Sequence, residues 1–216
     1  METPRRHRIF LLSPASVAGK RARMLLNPGA PFEIARRLHS GGPVSLGEAF
    51  AFMSGLYFRG KLAYAHAFAR PPAGSTGVLV ITSNRGLVSP DALVTAEELV
   101  AFSRVPIDAR DERYSQPLVQ DALKLAAVSS NDCSIVLLGS IASGKYIDHL
   151  LPIFAGDLEF PLEFVGRGDL SRGGLLLRSV VAGQILNHIP IAGALLRGKR
   201  PPRLLPMPGR EIDATS

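Results

Sequence analysis

The run Ser134-Ile135-Val136-Leu137-Leu138 passes directly into Gly139-Ser140-Ile141-Ala142-Ser143-Gly144-Lys145-Tyr146, and then into a helix-like segment, Tyr146 to Phe154. A short, continuous apolar run is the pattern of a strand buried on both faces. Such strands belong to parallel sheets covered by helices. Residues 8–13 and Val78 to Thr82 have the same character, and Phe160 to Val165 reads as a fourth strand. Helical segments separate them: Lys20 to Leu26, Phe32 to Leu38, Leu46 to Phe68, Ala96 to Phe102 and Pro117 to Ala127. This alternation predicts an α/β fold, a Rossmann-like three-layer sandwich with a mostly parallel sheet.

Local signals sharpen the pattern. Asn27-Pro28-Gly29 breaks the first helical region in two. Leu46, Ala49, Phe50, Met53 and Tyr57 recur at helical spacing, and Gly55 and Gly60 predict a broken helix. Thr95 is placed to cap Ala96 to Phe102, with Glu97 and Glu98 in the first turn. Pro117 suits a first helical position. Leu175 to Val181, the pair Ala182-Gly183 and Gln184 to Ile191 read as a C-terminal β-hairpin. Beyond Arg197 the chain is basic and Pro-rich. The expected organisation is one α/β domain over 1–196 and a solvated tail over 197–216.

Charge is unevenly distributed. The net charge is +7, yet residues 1–90 carry 12 basic and 3 acidic side chains, whereas residues 91–163 carry 5 and 12. Much of the basic excess lies at the ends, where Lys and Arg usually remain solvated; the alternatives are a nucleic-acid-binding role for the basic N-terminal region and tail, or a non-catalytic interaction subunit. No apolar run approaches the roughly 18 residues of a membrane span, so no membrane partner is expected. Arg5, Arg6 and Arg8 followed by Ile9 to Leu12 imitate a signal peptide, but Pro14 cuts the apolar run short. The single Cys133 fits a reducing compartment, and the expected location is cytoplasmic.

In an open parallel sheet, ligands bind outside the carboxyl ends of the strands. Four loops would gather there: Ser13 to Arg21, Thr82 to Gly86, Gly139 to Lys145, and Gly166 to Gly174. Each combines small or hydroxylated residues with a cation. Small residues let an anion approach the backbone, and cations neutralise it. The candidate ligand-binding residues are Ser13, Lys20, Arg85, Gly139, Ser140, Gly144, Lys145, Tyr146, Arg167 and Arg172. The expected ligand is an anionic, nucleotide-like small molecule. Asp169, set among Arg167, Arg172 and glycines, is the candidate catalytic acid or base. Each loop also has a plainer explanation as turn chemistry, and Arg85 or Arg167 as an ion-pair partner of the acidic middle segment.

Gly139 to Lys145 has the spacing of a P-loop, but Tyr146 stands where a magnesium-binding Ser or Thr is required. No acid ends Val78 to Thr82 or the strand before Gly166, so nucleotide hydrolysis of the P-loop kind is not expected. The five histidines are scattered without metal-ligand spacing, and no Gly-x-Ser-x-Gly elbow occurs. Tyr57, Lys61 and Tyr64 share one helix face. They suit either a stacking and phosphate-binding platform or, more simply, core packing with polar tips reaching water.

Leu56-Tyr57 with Lys61-Leu62-Ala63-Tyr64-Ala65, then Val80 to Asp91, then the Gly139 to Tyr146 loop, together resemble a little-characterised bacterial and phage α/β domain family. That family is distantly similar to YaaA-type proteins and to proteins associated with deazaguanine modification of nucleic acids. The resemblance spans about residues 50–150. It implies an α/β fold and a nucleobase or nucleotide theme, and it transfers no catalytic residue. Ser83-Asn84 departs from the Ser-Ala start of the family's loop.

Overall fold

In the computed structural model, residues 7–129, 132–192 and 204 are described. Six strands form one mixed sheet: β1 (His7–Leu12), β2 (Val78–Ile81), β3 (Leu87–Val88), β4 (Cys133–Leu138), β5 (Leu158–Pro161) and β6 (His188–Pro190), in the spatial order β3-β2-β1-β4-β5-β6. β1 pairs in parallel with β2 and β4, and β4 with β5; β3 and β6 are antiparallel edges. β1 and β4 lie in the middle, with Leu12 opposite Leu138. The chain runs from β1 outward to β2 on one side, then crosses to β4 on the other. The sheet therefore reverses its winding between β1 and β4, and a crevice opens there at the strand ends.

Side-chain alternation along β1 feeds two separate cores. Phe10 and Leu12 join a cluster with α1 (Lys20–Leu25), α2 (Glu33–His39), α3 (Leu46–Ser54), α4 (Leu56–Phe68), α5 (Ala96–Ser103) and Leu176 of α8 (Asp169–Ala182). Ile9 and Leu11 join a second cluster with α6 (Glu112–Val128) and α7 (Gly144–Phe154). The central strands are thus apolar on both faces, which explains their unbroken hydrophobic runs. Among the described residues, no helix is long and apolar enough to cross a membrane.

The break expected in Leu46 to Phe68 falls at Gly55, whose φ of 62° ends α3 and opens α4. Gly60 has a different role. Its missing Cβ lets α4 meet α8, because a Cβ there would lie 2.7 Å from the Gly173 carbonyl oxygen. Thr95 caps α5 in a full capping box with Glu98. Helix α6 starts earlier than the Pro117 signal suggested. Asp111 accepts from the Arg113 N–H and nucleates it, and Pro117 is carried inside the helix at the loss of one backbone bond.

The C-terminal hairpin expected over Leu175 to Ile191 does not form. Leu175 to Val181 is the second half of α8, and Gly183, at φ 63°, is the left-handed residue that closes that helix rather than a hairpin turn. Gly173, Leu176 and Ser179 recur every third residue and bury one face, largely against α4. That packing overrides the strand-like composition. The antiparallel addition consists of β6 alone, which pairs with β5. The fourth strand also ends sooner than expected, at Pro161, and a short 3-10 turn covers Leu162–Phe164. The basic, Pro-rich tail falls, apart from Leu204, outside the described residues.

Candidate functional site

Ser13 is the first residue beyond β1, and its backbone N–H donates to the Leu138 carbonyl at 3.2 Å, tying the ends of β1 and β4 together. Gly139 permits this approach: a Cβ at that position would stand 3.1 Å from the Ser13 Cβ. The Ser13 hydroxyl donates to the same carbonyl at 3.2 Å. Behind it, the Lys61 ammonium from α4 donates to the Ser13 carbonyl oxygen and, at 2.8 Å, to its Oγ.

Lys61 is 1% exposed, and its Nζ lies 4.5 Å from the centroid of the Tyr57 ring and 5.0 Å from that of Phe58. The rings stabilise a cation through their faces, but no carboxylate hydrogen-bonds to it among the described residues. Burial therefore dominates and lowers its pKa to about 7. Asp169 opposes the shift, while Lys145 and Arg172 add to it. Tyr57 is also buried, and its hydroxyl finds no acceptor among the described residues. Burial pushes that phenol up to about 12, while the nearby Arg172 guanidinium pulls the other way. Tyr146 is raised above the ordinary phenol range, first by burial and then by Tyr57, with the Ser13 hydroxyl opposing.

Ser13, Tyr57 and Tyr146 form the inner wall of a cavity of about 410 Å³ at the crevice between β1 and β4, and Lys61 lies behind Ser13. Its outer lining holds three cations, Lys20, Arg21 and Lys145, the hydroxyls of Ser16, Ser54 and Ser140, and one carboxylate, Asp169. A second cavity of about 330 Å³ adjoins it, sharing Pro14, Ser16, Lys145 and Tyr146. This neighbour is lined by Phe50, Phe102, Val105 and Ile107, with Ser83 at the end of the β2 side. Together they offer a cationic compartment beside one of mixed polarity with two aromatic rings in its wall.

Of the residues expected from sequence, the fold brings Ser13, Lys20, Ser140, Lys145, Tyr146 and Asp169 into one cavity. Asp169 opens α8 with a largely exposed side chain, 3.7 Å from Arg172. Arg172 itself lies behind Tyr57, donating to the Phe164 carbonyl and stacking on the Phe164 ring. Arg85 lines neither cavity and pairs with Glu98 at 2.6 Å. Arg167 donates to the Glu163 carbonyl and to Ser171. Gly144 starts α7 with the Asp148 carboxylate folded against it.

The Gly139 to Lys145 loop differs from a P-loop in backbone as well as sequence. None of its residues adopts a left-handed conformation, so the alternating-hand nest that cradles phosphate is not built. Tyr146 is buried beside Ser13. What the loop contributes is Lys145, Ser140 and the N-terminus of α7, where Ser143 forms no side-chain cap.

Sequence reasoning missed Tyr57 as a cavity group and Lys61 as the residue behind Ser13, and it placed Arg21 in the first strand-end loop without singling it out. The shared helix face of Tyr57 and Lys61 was the available signal, and polar tips reaching water were the simpler expectation. The Lys61 tip instead turns inward onto Ser13. Tyr64, on the same face, serves a different end, contacting His188 Nε2 at 3.0 Å and accepting from the Leu186 N–H. Comparison with family models, curated proteins and solved structures gives no match for this chain. The functional reading therefore rests on the geometry of the crevice.

Proposed function

We propose that the chain binds a nucleotide, nucleobase or other phosphorylated small molecule at the carboxyl ends of β1 and β4. The observation that carries the reading is the gathering of Lys20, Arg21 and Lys145 against the single carboxylate of Asp169 in one cavity. Three cations in a partly enclosed site favour an anion of more than one charge, because the surrounding protein weakens dielectric screening. The adjoining compartment, with Phe50 and Phe102 beside Ser83 and Ser103, suits a flat ring with polar edges such as a base. The two volumes fall in the range of small-molecule sites. Asp169 is the candidate acid or base at the rim. The fold reading that accompanies this is a Rossmann-like three-layer sandwich, in which the winding reversal is the usual place for such a ligand.

The experiment is to denature protein purified under mild conditions and identify released small molecules by mass spectrometry. The expected result is a phosphorylated species released in a fixed ratio to protein, and restored affinity for that species after refolding. Release of a neutral or cationic molecule bound in that ratio would contradict the reading.

A further inference from the structure

We propose that Ser13 and Lys61 form a serine–lysine dyad that cleaves a carboxylic ester carried by the anionic ligand. The proposal builds on the cavity as an anion site, which would anchor the phosphorylated end while the ester carbonyl reaches Ser13.

Three observations converge on this centre. First, Ser13 is among the residues that line the cavity, though only 6% exposed, and Lys61 Nζ lies 2.8 Å from its Oγ. A hydroxyl at a cavity wall with a base in hydrogen-bond reach is the arrangement covalent catalysis needs. Second, Lys61 is buried with no carboxylate hydrogen-bonded to it, which favours the neutral amine that a base must be. Third, the Tyr57 side chain is more than nine-tenths buried, lines the same cavity, and has no acceptor for its hydroxyl among the described residues, Arg172 nearby being a donor only. A buried donor without an acceptor is costly, and a developing oxyanion would satisfy it.

The step balances with water as the second reactant. Ser13 Oγ attacks the ester carbonyl carbon while its proton passes to the neutral Lys61 amine. The carbonyl π pair moves to oxygen, and the resulting oxyanion accepts a hydrogen bond from Tyr57. Collapse re-forms the carbonyl, breaks the bond to the leaving alkoxide, and returns the Lys61 proton to that alkoxide. Water then attacks the acyl-serine, again giving its proton to Lys61. Release of the carboxylic acid regenerates the Ser13 hydroxyl.

The test uses a small fluorophosphonate, which captures activated serines, with full-length protein and intact-mass detection. At a pH of about 8, wild type should acquire one adduct, mapped to Ser13, because a Lys61 amine titrating near 7 is mostly neutral there. Ser13→Ala should acquire none, and Lys61→Met should be labelled about 100-fold more slowly or worse. No adduct on folded wild type, or one that persists in Ser13→Ala, would overturn the dyad. Equal labelling of Lys61→Met and wild type would do the same. Calorimetry with adenosine monophosphate on wild type and Ser13→Ala separates the two readings. Nucleotide binding without labelling removes the dyad and leaves the anion site, whereas labelling without nucleotide binding keeps the dyad and removes the nucleotide.

Discussion

Gly60 and Gly173 bring α4 and α8 into backbone contact: a Cβ on Gly173 would lie 2.8 Å from both the Leu56 carbonyl oxygen and the Tyr57 Cα. These are rigid backbone atoms, so a methyl group there cannot be absorbed by a rotamer change. Helix α4 is the element that carries Tyr57, on the cavity wall, and Lys61, behind Ser13, so its seat on α8 positions both.

Gly173→Ala should therefore push α8 away from α4 and destabilise the protein by about 1–3 kcal/mol, the usual cost of overpacking. Urea denaturation measures this. Gly174→Ala is the control, since its Cβ would meet nothing closer than the Leu204 side chain at 3.8 Å. There the gain in helix propensity should leave stability unchanged or raise it slightly.

The outline of the sheet was legible because its central strands are buried on both faces, and such runs as Ile135 to Leu138 have few other uses. The six residues that meet in the cavity were legible because strand-end loops of a parallel sheet converge by topology. Leu175 to Val181 was not legible: its aliphatic composition suits a strand, and only the packing of Gly173 on α4 decides for a helix. Lys61 was not legible for a related reason. A lysine on an amphipathic helix normally sends its ammonium to water, and nothing local in the sequence records that Ser13, 48 residues away, receives it instead.

Burial of Lys61 makes stability depend on pH. Its folded pKa, about 7, lies below the ordinary lysine value of 10.5. Between those values the unfolded chain holds more protons, so stability rises with pH across that window. Its slope is at most about 1.4 kcal/mol per unit, and it is flat below the window. Lys61→Met removes the term. The variant should be more stable than wild type at pH 7, with the difference shrinking toward pH 10.5. Denaturation curves for both proteins over that range check the sign.

His188 produces a dependence on the acid side. Burial, reinforced by Arg8, lowers its pKa to about 3 from 6.5, so the ring is neutral in the fold, with its Nε2 in hydrogen-bond contact with the Tyr64 hydroxyl at 3.0 Å. The unfolded chain binds the extra proton between those values, and stability must fall as pH drops through them. His188→Gln keeps a polar partner for Tyr64 without titrating. Thermal melts at several pH values should show a shallower acid loss than wild type once the shared carboxylate contribution is subtracted.

The central claim, an anion site between β1 and β4, is tested most directly by calorimetric titration of the ligand released from wild type into Lys145→Ala and Arg85→Ala. Lys145 lines the cavity, whereas Arg85 is paired with Glu98 outside it. The account predicts affinity about 10- to 100-fold weaker for Lys145→Ala, as for loss of one charge-assisted hydrogen bond, and unchanged for Arg85→Ala. Wild-type affinity in Lys145→Ala would contradict it.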